Sequence, residues 1–257
     1  MKFQQLPSTF DEKGNASTRQ HLACFVVNDC VAIDAGSLAM ATSDKQKQTI
    51  RDILLTHAHL DHIAGLPLFI DDLFATLTEP IKVYAIEEVI ETLENHIFNW
   101  EIYPRFSELS NSNNSILNYQ KIEPNVTFKI RNLNFKAIRV NHKVPSVGYL
   151  VSDENSTIAI TSDTSKMELF WDELNLITNL KAILIECAFP DELIQLADAS
   201  HHLTPLVLKG EIAKSKQNCP IYVINIKPMY REKVIEQLDN LGIENINVLE
   251  VGKVYEF

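Results

Sequence analysis

Apolar residues fall in short bursts along the chain, and the length and spacing of each burst separate strands from helices. The run from Leu22 to Asp34 holds two β-rich stretches joined by Asn28-Asp29, which predicts a hairpin whose second strand ends at Asp34, ahead of Ala35-Gly36-Ser37. Ile53-Leu54-Leu55 reads as a short buried strand that stops where polar residues begin. Residues 63–77 are apolar over a length that suits a largely buried helix. A strand follows from Ile81 to Tyr84, then a helix from Glu87 to Phe98 with Val89, Ile90, Leu93 and Ile97 on one side.

The second half repeats the strand-rich logic. Val126 to Ile130, Phe135 to Val140, Gly148 to Ser152 and Thr157 to Thr161 are strand candidates bounded by turn residues. Leu180 to Glu186 is a continuous apolar run with an acid at its end, and Ile221 to Ile226 is another such strand. Thr204 as N-cap with Pro205 behind it starts a helix to Lys216, and a helix from Tyr230 to Leu241 is closed by Gly242. Periodicity alone gives a mixed α/β protein. No low-complexity linker divides residues 1–257, so one domain is expected. An aromatic-rich insertion or flap stands out around residues 98–120. Phe98, Trp100, Tyr103 and Phe106 there either cover a substrate or form a satellite cluster.

The stretch Thr56-His57-Ala58-His59-Leu60-Asp61-His62 carries the chemistry. Each neutral imidazole brings a donor and an acceptor that need partners, so three this close do not suit a packed core face. They follow a strand end, where open α/β sheets place their sites; a solvated His-rich turn is the lesser alternative. His57 and His59 can reach one metal ion when the loop curls, and Asp61 and His62 a second. Two ions held close can share a hydroxide and clamp both the attacked phosphorus and the leaving oxygen, which suits ester hydrolysis. Further ligands must come from elsewhere, since one ion needs at least three protein groups.

Composition narrows the partners. With 257 residues and 46% hydrophobic content there is ample material for a core, and a formal charge of -11 argues against a broad nucleic-acid footprint. The start of the chain is too short and polar for a secretory segment, and no apolar run spans a bilayer, so the expected setting is the cytoplasm without membrane attachment. Cys24, Cys30, Cys187 and Cys219 lack CxxC spacing and read as reduced thiols.

The run from His57 to His62 resembles the HxHxDH signature of the metallo-β-lactamase superfamily, and the likeness extends over nearly the whole chain. It implies a four-layer αββα sandwich and two divalent metal ions, zinc first, with manganese or iron as alternatives. By order along the chain it implies that His142, in Val140-Asn141-His142, completes a first metal site with His57 and His59. Asp163, in Thr161-Ser162-Asp163-Thr164, would bridge to a second site shared with Asp61 and His62. Asp34 matches an early acid that supports the ligand loop by hydrogen bonding.

Pro7-Ser8-Thr9-Phe10, His59 to Gly65, Glu186 to Pro190, Ala197 to Pro205 and Lys227-Pro228 look like the class II cyclic-nucleotide phosphodiesterases, neighbours of tRNase Z. This likeness implies that His202 protonates the leaving alkoxide or stabilises the phosphate, with Glu186 orienting it. His202 also lies just before a predicted helix start, a favourable place for an anion. One departure weakens the second metal site: Asn225-Ile226-Lys227-Pro228 stands where the family carries His-x-Lys-Pro. An amide oxygen is a poorer ligand than imidazole. None of the other histidines obviously supplies that missing ligand, though His201, beside His202 in sequence, stays a candidate for it, whereas His21 and His96 read as loop and helix residues.

The resemblance therefore implies a metal-dependent phosphodiesterase for a small phosphodiester, first among them a 3′,5′-cyclic nucleotide. Trp100, Tyr103 and Phe106 are candidates to meet a base, and Lys227 a phosphate. The alternatives are a tRNase Z-like nuclease, which the acidic balance disfavours, and a non-catalytic nucleotide or metal binder with a degraded second site. Thioesterase or lactamase chemistry also fits the fold. A homodimer is compatible with the resemblance.

Overall fold

In Lys2–Gln5 (β1) Phe3 and Gln5 are buried while Lys2 is exposed, the alternation of a strand with one face on a core. The computed structural model describes all 257 residues, in two compact units, residues 1–123 with 251–256 and residues 124–250 with Phe257.

In the first unit, β1 lies between the C-terminal strand Val254–Glu256 and Phe25–Val27 (β2), antiparallel to both. Val31–Ile33 (β3) returns beside β2 through a tight turn with Asn28 and Asp29 at φ 50° and 58°. Positive φ at both central residues matches the twist of the flanking strands, and Asn and Asp adopt it at low cost. Asp52–Leu54 (β4), Ile81–Ala85 (β5) and Leu117–Lys121 (β6) then add in parallel, giving a seven-stranded sheet. Leu38–Ala41 (α1) and Asp44–Thr49 (α2) fill the crossover from β3 to β4, and a reciprocal Ser43–Gln46 capping box starts α2.

The helix expected over 63–77 is two pieces, Leu60–Ile63 (α3) and Gly65–Leu73 (α4). The Gly65 amide donates to Ala35 rather than continuing a single ladder, and the Thr76 and Leu77 amides both turn back onto the Leu73 carbonyl. Glu87–His96 (α5) buries Val89 and Leu93 and stops where the Ile97 and Phe98 amides share the Leu93 carbonyl. Phe98 and Phe106 are buried, with rings 5.7 Å apart and Tyr103 5.8 Å from Phe106. Asn111 donates to the Phe74 and Leu77 carbonyls, so the polar stretch after these aromatics is anchored beneath α4.

The second unit is another seven-stranded sheet. Thr127–Ile130 (β7), Leu133–Arg139 (β8), Val147–Ser152 (β9) and Thr157–Ile160 (β10) form an antiparallel meander. Leu180–Glu186 (β11), Ile221–Ile224 (β12) and Ile246–Val248 (β13) continue it in parallel. β12 stops two residues earlier than its apolar run, because Asn225 turns to φ 56°. Leu169–Leu174 (α6), Ile194–Ser200 (α7), Pro205–Ile212 (α8) and Arg231–Asp239 (α9) cover the sheet; α8 and α9 are shorter than expected. Trp171, Phe170, Leu174, Leu208 and Val234 are buried in one cluster with the strand residues Ile183, Ile185 and Val223. Each such aliphatic or aromatic side chain contributes on the order of 1.5–3 kcal/mol by leaving water. Within that cluster Glu211 is 2% exposed and fully occupied, accepting from the Met167 amide, Trp171 Nε1 and Lys214 Nζ. Because β10, β11 and β12 are parallel, Asp163, Glu186 and Asn225 all emerge at the same end of the sheet.

Candidate active site

In the first unit the ligand loop is organised by a carboxylate. Asp34 sits at φ 59° just after β3, with its amide on the Leu54 carbonyl, and is wholly buried. Its Oδ1 accepts from the Thr56 amide at 2.9 Å, its two oxygens face the Thr56 hydroxyl at 2.9 Å, and its Oδ2 lies 2.7 Å from His62 Nδ1. A hydroxyl has one proton, and Thr56 gives it to Asp34. The Thr56 oxygen, 3.0 Å from His57 Nδ1, therefore accepts from that imidazole. The same carboxylate accepts from His62 Nδ1. Both rings are thus fixed as Nδ1–H tautomers with Nε2 left as the donor atom for a metal.

The three imidazoles of the run converge, with the His57 ring 4.1 Å from that of His62 and 4.8 Å from that of His59. His59 is the N-cap residue of α3, and Asp61 and His62 lie within that helix. Backbone packing holds this geometry. Ala23 donates to the Asp61 carbonyl at 2.8 Å, Ala35 to the His62 carbonyl at 2.7 Å and Gly36 to Ala23 at 2.8 Å. A Cβ on Gly36 would stand 2.0 Å from the Asp61 carbonyl oxygen, so glycine is required there by close approach. Thr56 and Gly36 are site residues that the motif alone does not reveal; each flanks a recognisable feature, the strand end and Asp34.

In the second unit His142 follows β8 and Asp163 follows β10. His142, Asp163 and His202 present metal-binding atoms all within 4.8 Å of one another, and all three are buried. His142 Nδ1 is 3.1 Å from the His201 carbonyl, which only accepts, so this ring too is Nδ1–H. Asn225 Nδ2 donates to Asp163 Oδ1 at 2.6 Å. Glu186, wholly buried at the end of β11, accepts from Thr164, Ala188 and Leu203 amides and from His202 Nδ1 at 2.7 Å. Burial pushes the Glu186 carboxyl up, against these donors. Burial alone would lower His202, but the Glu186 hydrogen bond and charge more than reverse it, and the imidazole is held above its ordinary range. Phe189 packs its ring edge-on 5.6 Å from His202.

Of the other residues singled out in the sequence, Lys227 donates its amide to the Ala188 carbonyl, and its positive charge weighs slightly against His202 protonation. Trp100 is 55% exposed whereas Phe106 is buried in the aromatic cluster. His21 and His96 are exposed. Imidazole and carboxylate donors with fixed tautomers and hydrogen-bonded second partners form a set that suits divalent metal ions.

Fold and donors together define a hydrolase of the metallo-β-lactamase superfamily. The chain is similar in structure, at TM-score 0.74 and 14% identity, to the metallo-β-lactamase fold protein YhfI of Bacillus subtilis, over 99% of each chain. It is similar at TM-score 0.75 and 18% identity to unliganded yeast PDE1, over 98% of each chain. These likenesses show the αββα sandwich fold that the sequence leads one to expect. In sequence it is 27% identical over 247 residues to a probable 3′,5′-cyclic-nucleotide phosphodiesterase of Yersinia pestis, a match that takes in 82% of this chain and 69% of that protein. The chain belongs to the Anti-Pycsar protein Apyc1 family, whose model matches residues 19–205.

Proposed function

We propose that this chain is a metal-dependent phosphodiesterase acting on a small phosphodiester, with a 3′,5′-cyclic nucleotide as the first candidate substrate. The observation that carries the reading is the buried Glu186–His202 pair at 2.7 Å beside the candidate ligands His142 and Asp163. The superfamily resemblance supports His57, His59, Asp61, His62, His142 and Asp163 as the residues that hold two divalent ions. Such ions, when bound, supply Lewis acidity toward phosphoryl oxygens and an acidified water.

The chain's own residues contribute the rest. Asp34 keeps the Nε2 atoms of His57 and His62 unprotonated through Thr56 and directly. Glu186 fixes His202 with its proton on Nδ1 and, by hydrogen bond and charge, holds the ring above its ordinary range, which favours a second proton on Nε2. That proton passes to the leaving 3′-oxygen, and Glu186 stabilises the imidazolium before transfer. Trp100, as the exposed aromatic of its segment, is the residue we assign to stack on a base.

A second reading, a non-catalytic binder of nucleotide or metal, draws on the amide of Asn225, which donates to Asp163 where an imidazole ligand is expected. The net charge of -11 tells against a tRNase Z-like nuclease. No helix is long and apolar enough to cross a membrane.

Hydrolysis of cyclic AMP, cyclic GMP, bis(p-nitrophenyl) phosphate and a tRNA precursor by metal-replete protein, with metal content measured in parallel, separates these readings. Turnover of a cyclic nucleotide that His57→Ala abolishes is the expected result. Bound metal without turnover of any phosphodiester, across zinc, manganese and iron, leaves only the binding protein.

A further inference from the structure

Asn141 immediately precedes His142, and all four of its backbone and side-chain polar positions are engaged with two neighbouring loops. Its amide donates to Thr164 Oγ1 at 3.2 Å, and its carbonyl accepts from the Ser165 amide at 2.7 Å. Its side-chain Nδ2 donates to the Lys166 carbonyl at 2.8 Å, and its Oδ1 lies 3.1 Å from His201 Nδ1. An amide oxygen only accepts, so His201 Nδ1 carries a proton. His201 in turn occupies the left-handed region at φ 58° and offers its own carbonyl to His142 Nδ1 at 3.1 Å. A non-glycine residue pays for that backbone conformation, and the ring's bond to Asn141 is a compensation that glycine could not provide.

We infer that Asn141 is a positioning residue for His142: with His201 it forms a clasp that locks the His142 tautomer and joins its loop to the one bearing Asp163. The inference rests on the reading of His142 as a metal ligand. The left-handed turn is the C-cap of α7, with the His201 amide on the Ala197 and Asp198 carbonyls; Asn141 braces it through the His201 ring, the turn aims the His201 carbonyl, and the carbonyl holds the His142 proton on Nδ1. Nε2 is thereby kept as the lone-pair atom. The Ser165 and Lys166 contacts, two and three residues beyond Asp163, tie the two ligand loops into one unit. Asn141 belongs to no metal motif, and His201 stands out in the sequence only as the neighbour of His202.

The test uses the full chain with Asn141→Ala and, as a milder change, His201→Gly, which deletes the ring but keeps the carbonyl and suits the backbone. Two quantities are measured: zinc affinity by competition with a chromophoric chelator, and the His142 tautomer in metal-free protein by long-range proton–nitrogen NMR. Asn141→Ala is expected to weaken zinc binding by about 10–100-fold, the usual effect of removing an outer partner of a ligand. It is also expected to convert a single Nδ1–H signature into a mixture. His201→Gly changes both in the same direction by less. Asn141→Ala or His201→Gly protein that keeps wild-type affinity and the wild-type His142 signature overturns the clasp. Wild-type protein that binds no zinc overturns the ligand reading instead, and the NMR signature then decides the clasp by itself.

Discussion

Asn225 holds Asp163 by a 2.6 Å hydrogen bond from its side-chain amide. A carboxylate only accepts, so the face that Asn225 turns toward Asp163 is its NH2 group, and the residue serves as a donor to a candidate ligand. The backbone at φ 56° accommodates histidine nearly as readily as asparagine, since both are enriched in the left-handed region. Asn225→His is therefore expected to fold, to raise the affinity of the weaker metal by about tenfold or more, and to increase phosphodiester turnover. Metal titration followed by elemental analysis checks this. Unchanged stoichiometry and unchanged affinity would show that position 225 does not limit metal binding.

Asp34 orients two imidazoles with one carboxylate, directly at His62 and through Thr56 at His57. Asp34→Asn retains the shape but must present an NH2 group to donors. One buried partner is left unsatisfied, at a cost of roughly 1–3 kcal/mol, more because the lost acceptor is charged. We expect a lower Tm together with a 10–100-fold loss of metal affinity, of the order seen when outer partners of ligands are removed. Asp34→Asn protein that unfolds earlier but binds metal as wild type does would show that Asp34 serves the fold alone.

How far this architecture can be read from the sequence depends on which force sets each part. β11 is legible to the residue because a strand buried at every position but Lys181 reads as an apolar run with a charge at its end. β12 is not, since Ile226 continues the apolar pattern while the backbone turns over at Asn225, a conformational event that hydropathy does not record. The same holds at Asp34, Ser162 and His201, all in the left-handed region beside candidate functional groups and none of them glycine. α7 is not legible either, because its short sequence, Ile-Gln-Leu-Ala-Asp-Ala-Ser, buries only Ala197 and so has no apolar stripe. The metal-binding histidines stand out by spacing, whereas Asn141 and Thr56 become visible only through their hydrogen bonds.

Glu186→Gln tests the proton-transfer pair through pH. Burial lowers the His202 pKa, and the Glu186 carboxylate raises it above its ordinary range. Without the carboxylate, burial is left as the larger influence and the pKa falls. If protonated His202 assists the leaving group, the alkaline limb of kcat depends on keeping that proton, so the limb moves to lower pH in Glu186→Gln while metal content stays near wild type. A profile that keeps its alkaline limb in place would remove His202 from the acid role, whatever the change in rate.

Gly36→Ala probes a main-chain contact with Asp61 that involves no ligand atom. The added Cβ would meet the Asp61 carbonyl oxygen at 2.0 Å and the Ala23 carbonyl oxygen at 2.8 Å. Both are main-chain atoms, so no side chain can swing away. The strand of contacts from Gly36 to Ala23 and from Ala23 to Asp61 must open, and α3 moves with it. Overpacking of this kind costs on the order of 1–3 kcal/mol or more. Because the displaced helix carries Asp61 and His62, metal affinity should fall along with stability, even though position 36 has no side chain to contribute. Isothermal titration with zinc and a thermal melt of the metal-free protein separate the two effects. A variant that melts as wild type and binds zinc as wild type would mean that the loop relaxes around the methyl group and that the close approach is not needed.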